Sequence, residues 1–166
     1  MDSGLMALRL ILAGALVFIP ASTRADDVTT YSALTGRCTA VVTMDVVTDP
    51  TRCAKQVVNI EYPSGRTGFM FVLNQRGDAT PTVFSFLGDG ARQLHPNGDT
   101  AIQPIDHVYV TSEGSTDDLP AAGWCRITNP HQRTPARVSC SADSDRGRFA
   151  GEFIGDGTAP ATSLLR

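Results

Sequence analysis

Thr67-Gly68-Phe69-Met70-Phe71-Val72-Leu73 and Thr82-Val83-Phe84-Ser85-Phe86-Leu87 are the stretches whose reading decides the fold class. Phenylalanine recurs at every second position, so Phe69 and Phe71 share one face of a strand, and Phe84 and Phe86 share one face of another. A helix would scatter these residues around its circumference, whereas a pleated strand lines them up. Outward from this centre, residues 40–43, 55–62, 105–111, 124–128, 136–141 and 148–154 are rich in β-branched and aromatic side chains. Phe149, Gly151 and Phe153 repeat the alternation.

Turn formers separate these runs: Pro63-Ser64-Gly65, Arg76-Gly77-Asp78, Gly88-Asp89-Gly90, Asn97-Gly98-Asp99 and Gly155-Asp156-Gly157. Glycine and asparagine supply the positive φ that tight hairpins require. Turn signals at intervals of roughly 8–12 residues indicate an all-β fold, an antiparallel β-sandwich or a small β-barrel. One domain is expected over residues 26–157, with a flexible tail at 158–166.

The N-terminal part reads differently. Leu10–Ile19 is an apolar run too short to span a bilayer, and Thr23-Arg24-Ala25 ends in a small-residue cleavage pattern. Residues 1–25 are therefore expected to be a signal peptide, translated from Met1 or from Met6. No later stretch is apolar for long enough to cross a membrane as a helix, so no anchor is expected after cleavage. Removing Asp2, Arg9 and Arg24 with the leader leaves 141 residues with 12 basic and 16 acidic side chains, a formal charge of −4. That weak acidic balance argues against nucleic acid as a partner.

Four cysteines follow, and Cys38/Cys53 and Cys125/Cys140 have equal spacing. Sequence alone allows three pairings, and the equal spacing favours these two local bridges. Each would constrain the unfolded chain by about 3 kcal/mol in the loop-entropy account. Zinc knuckles and C-x-x-C redox motifs are both missing, which leaves structural disulfides in an oxidising compartment, periplasmic or secreted.

Candidate chemistry is sparse. His95 and His131 sit beside prolines in loop-like segments, and His107 lies inside a strand-like run. None has the i,i+2 or i,i+4 spacing of a metal pair, and no G-x-S-x-G nucleophile turn occurs, so neither cofactor nor metal is expected. Glu113, Asp117 and Asp118 form an acidic cluster without calcium-loop register. Arg126, Arg133, Arg137, Arg146 and Arg148 crowd the last third, where one shared strand face would suit an anion or a glycan. Trp124 and the phenylalanines are expected in the core, Trp124 against Cys125. The candidate contact residues are His95, His131, Asp117, Asp118, Arg133 and Arg137.

Tyr62-Pro63-Ser64-Gly65-Arg66-Thr67-Gly68-Phe69-Met70-Phe71-Val72, Gln103-Pro104-Ile105-Asp106 and Gly123-Trp124-Cys125-Arg126-Ile127-Thr128-Asn129-Pro130 resemble segments of small exported four-cysteine proteins of proteobacteria. The likeness runs as motif order from Gly36 to Gly157. It implies a signal peptide and disulfides and carries no activity or site residues. The functional expectation is a non-enzymatic binding module for a protein or a small envelope ligand. The alternatives are a structural envelope component, or a hydrolase-type enzyme built from loop-borne His and Asp residues.

Overall fold

The computed structural model describes residues 29–74, 80–129, 131 and 135–165. The expected signal peptide, Arg76-Gly77-Asp78 and Arg133 lie outside the described residues. The strands are β1 (Thr29–Thr43), β2 (Val46–Val47), β3 (Cys53–Glu61), β4 (Arg66–Leu73), β5 (Thr82–Asp89), β6 (Leu94–Asn97), β7 (Thr100–Ser112), β8 (Ser115–Thr128), β9 (Arg137–Ser144), β10 (Gly147–Gly155) and β11 (Ala161–Leu165). Eight of them follow one another around the sheet as β1-β3-β4-β5-β7-β8-β9-β10, every pair antiparallel, and β10 returns to β1 along Gly36–Val42. The sheet closes on itself. Of the two architectures expected, the protein is the up-and-down barrel.

The alternating phenylalanines point inward. Phe71, Phe84, Phe86, Phe149 and Phe153 are fully buried, with Val41, Val57, Val108 and Val138 around them. Phe71 stacks on Phe84 with ring centroids 5.3 Å apart, and Phe86 meets both edge-on. A ring this central needs a gap opposite. Gly151 provides it, since a Cβ there would come within 2.7 Å of the Phe71 ring. Both expected disulfides form. Cys125 and Cys140 face each other directly across β8 and β9. Cys38 and Cys53 join β1 to β3 beyond Thr35↔Gln56, where the ladder between those strands has ended.

Several elements differ from the sequence reading. β1 starts at Thr29 and β8 at Ser115, far ahead of the runs that announce them. Ser115–Gly123 holds two aspartates, a proline and a glycine, a poor strand composition. It becomes a strand because β7 pairs with it from Ser112↔Ser115 onward, across a two-residue turn in which Glu113 and Gly114 have φ of 52° and 80°. Pro120 sits where the register slips between Ile105 and His107, so that Ala121 and Ala122 oppose Asp106 alone.

Residues 158–166, expected as a flexible tail, include β11, which pairs Ala161–Leu165 with Ala33–Thr29 of β1. Trp124 is also corrected: it is 43% exposed on the outer wall. Cys125 takes the inward position, and period 2 then turns its neighbour outward.

Among the described residues, one polar side chain is fully buried. Gln103 lies opposite Cys125, and its amide donates to the carbonyls of Asp89 and Pro104, both at 2.9 Å. It thereby ties the end of β5 to β7. Gln103→Leu is expected to cost about 2 kcal/mol, because two carbonyls lose a buried donor. Amide hydrogen exchange should speed up first around residues 89–93, and unchanged exchange there would refute the tie.

Candidate functional site

The strands of an up-and-down barrel bring alternate connections to the same end. One end therefore gathers the start of β1, the β3–β4 turn, the β5–β7 connection with its β6 arm, the β8–β9 connection and β11. This end is open. A concavity of about 220 Å³ descends from it, floored by buried Leu34, Val57, Phe69 and Val138, with Ser32 and His131 at its rim. A second, of about 250 Å³, adjoins it and is lined by Thr67, Gln93, His95 and Thr100. The two share Asn59, Phe69 and Ile127 as a common wall. Below them the barrel is filled by the phenylalanine cluster, so the site is a cup at the mouth and not a channel.

Local hydrogen bonds shape the rim. The Asn129 side chain accepts from the His131 backbone N–H at 2.9 Å, and the Asn129 backbone N–H donates to Asp99 at 2.8 Å. The β8–β9 connection is thereby fastened to the hairpin between β6 and β7. Inside the cup, the Asn59 amide donates to the Gly68 carbonyl at 2.9 Å. Its Oδ1 accepts no hydrogen bond among the described residues, which leaves an acceptor above the apolar floor.

Two of the candidate contact residues, His95 and His131, are thus brought to one end of the barrel. The others are not. Asp117 pairs with Arg146 at 2.9 Å near the opposite end. Asp118 lies on the outer wall, 3.9 Å from His107 Nε2. Arg137 is exposed on β9, in register with Ile154 and, beyond it, Arg37. Arg126, Arg137 and Arg148 do share the outer face of β8–β10, as one face of strands would require.

His107, set aside on the sequence, belongs to a polar cluster that the register slip creates. The buried positions of β7 step from Ile105 to Val108, which leaves Asp106 and His107 both half-exposed. Asp106 binds the Arg66 guanidinium and accepts from His107 Nδ1 at 2.8 Å. Partial burial works to raise the Asp106 pKa, but hydrogen bonds from Arg66 and His107 outweigh it and hold the carboxyl below its usual range. The hydrogen bond to Asp106 likewise raises the Arg66 pKa. His107 Nδ1 is thus taken up by Asp106, while Nε2 stands 3.9 Å from Asp118, beyond hydrogen-bond distance.

Among the described residues, no group of three or more His, Cys, Asp or Glu is placed to hold a metal ion. Comparison with protein-family models, with curated proteins and with solved structures finds no match.

Proposed function

We propose that the protein is an exported, non-enzymatic binding module that takes a small, largely apolar ligand with a polar end group into the barrel mouth. The observation that carries this reading is the cup itself: one concavity has an apolar floor on the aromatic plug, and polar groups stand on the wall it shares with the second, which Thr67, Gln93 and His95 line. Small-ligand sites have this division, with apolar walls for affinity and a few polar groups for orientation, and volumes from about 300 Å³ upward. The joined concavities reach that range. Asn59 Oδ1 and the His131 ring are the groups that would fix the polar end.

An exported location fits two disulfides in a small β-domain, since such bridges persist where the surroundings are oxidising. A hydrolase reading would need His95 or His131 hydrogen-bonded to an acid, and neither ring makes such a bond among the described residues.

The test uses the neutral apolar fluorophore N-phenyl-1-naphthylamine. Wild-type protein is expected to bind it with a Kd of about 10 μM, corresponding to about 7 kcal/mol. Ile127→Trp, which fills the shared wall, is expected to weaken binding at least tenfold with the melting temperature retained. No binding by wild type, or equal binding by the variant, would remove the mouth as the site. Native mass spectrometry of protein recovered from the periplasm adds a second reading: a mass beginning at Asp26, four hydrogens below the reduced chain, with a small-molecule adduct.

A further inference from the structure

The chain has three tyrosines. All three belong to the same side of the barrel, facing away from the core. On β3, β4, β5 and β7 the inward positions are held by Val57, Phe69, Phe71, Phe84, Phe86 and Val108, so the residues between them face out. Two in-register outer rows result. One runs Tyr31–Ile60–Gly68–Leu87–His107, and the next runs Val58–Met70–Ser85–Tyr109–Asp118. Tyr62 follows β3 directly and lies within electrostatic range of both Tyr31 and Tyr109.

The outer wall here is concave. A groove of about 390 Å³, larger than either concavity at the mouth, is lined by Tyr62, Arg66, Met70, Ser85, Leu87 and Tyr109. Ile60, Ser85 and Leu87 are 1%, 7% and 5% exposed, although they point away from the barrel interior. Gly68 contributes no side chain between Ile60 and Leu87, so the floor stays low while the tyrosines stand at its sides. Hydroxyls complete the lining, with Ser64 at one end and the bonded pair Thr111 and Thr116, 2.9 Å apart, at the other.

We propose that this groove is a saccharide-binding site, separate from the barrel mouth, that takes a neutral sugar unit of an oligosaccharide. The charge pattern selects a neutral ligand. Arg66 is already matched by Asp106, and Asp118 stands opposite Tyr109 on the next strand, so no unmatched cation lines the groove. What remains in the lining is the charge-balanced Arg66 guanidinium beside the hydroxyls of Tyr62, Ser64, Ser85 and Thr111, a set of donors and acceptors that complements sugar hydroxyls, each of which both donates and accepts. Tyrosine faces carry the negative side of a quadrupole and attract the weakly positive C–H face of a pyranose ring. Met70 and Leu87 give that ring an apolar floor. Burial first, and then neighbouring groups, push the Tyr62 and Tyr109 pKa values up, so both hydroxyls stay protonated donors through neutral pH. A proline-rich peptide also favours tyrosine grooves, but it has few donors to offer the hydroxyl oxygens of Ser64, Ser85 and Thr111.

The experiment is a titration of the folded, oxidised protein with cellotetraose, maltotetraose and chitotetraose, followed by amide NMR shifts. At least one sugar is expected to shift residues 62–66, 85–87 and 106–111 with a Kd of about 1 mM or tighter, the usual floor of specific weak binding. Tyr109→Ala is expected to weaken that binding about tenfold, the effect of losing one aromatic contact. Tyr62→Ala, at an exposed position following β3, should do the same without disturbing the fold. Asp106→Asn should weaken binding while leaving the tyrosines in place. No shift at ~10 mM of any of the three sugars, ten times the expected Kd, would overturn the proposal. Binding that both tyrosine variants retain would do so equally, as would saturation of the same residues by a proline-rich peptide with no sugar bound. Ile127→Trp should leave sugar binding intact, so the two sites succeed or fail independently.

Discussion

Phe71→Ala is expected to lower the unfolding free energy by about 4 kcal/mol, within the usual range for removing a buried phenylalanine. Phe71 is wholly inaccessible, stacked on Phe84, flanked edge-on by Phe86 and seated over Gly151. Its loss empties the centre of a closed sheet. An open sheet could slide its layers together, but a barrel of eight mutually bonded strands has a circumference set by its ladders, so little of the cavity can be filled by relaxation. Phe71→Leu should lose about 1.5 kcal/mol, because most of the volume is restored. Urea unfolding with an unchanged m-value checks both. A loss near that of the leucine variant for the alanine variant would show that the ring cluster is not what holds the barrel.

Replacing Cys125 and Cys140 together by alanine is expected to cost about 3 kcal/mol, most of it from freeing the unfolded chain. Cys125 and Cys140 are 0% and 1% exposed and directly opposite in register, so the alanine pair introduces no buried polar atom. The neighbour across β7 is Gln103, so loosening should also be felt at the carbonyls of Asp89 and Pro104 that its amide satisfies. The Cys38–Cys53 bridge acts elsewhere, holding β1 against β3 where their ladder has ended. Its removal should open that seam without altering exchange around Gln103. Calorimetry on the oxidised wild type and the double variant reads the first effect. Equal melting temperatures would mean that the Cys125–Cys140 bridge adds nothing to the stability of the wall.

How legible the site was depends on which property of the chain carried it. The inward faces were readable, since Phe69/Phe71 and Phe84/Phe86 alternate with smaller or more polar residues, and core burial rewards that pattern directly. The outward faces were not. Tyr31, Tyr62 and Tyr109 are far apart in the chain and follow no local period, and they come together only through the β1–β3–β4–β5–β7 register. A rule that every aromatic in a small β-domain belongs to the core fails for them and for Trp124. His107 was set aside because it lies within a strand. The slip at Pro120 turns Asp106 and His107 to the same side, and a slip of one residue leaves no mark in propensity. His95 and His131 were singled out for their loops, and alternate connections of an up-and-down barrel do converge.

By itself the sequence determined the all-β class and the inward faces of the alternating phenylalanines, and it favoured the local pairing of the cysteines. These depend on neighbours within a strand or on loops of about fifteen residues, distances over which period and spacing act directly. Closure of the sheet, the strand β11 on β1, the strand character of residues 115–123, the cup at the mouth and the groove on the outer wall were decided by tertiary structure. Each requires residues dozens of positions apart to meet in one register, and hydrogen-bonded ladders set that register once the aromatic core has closed around Phe71.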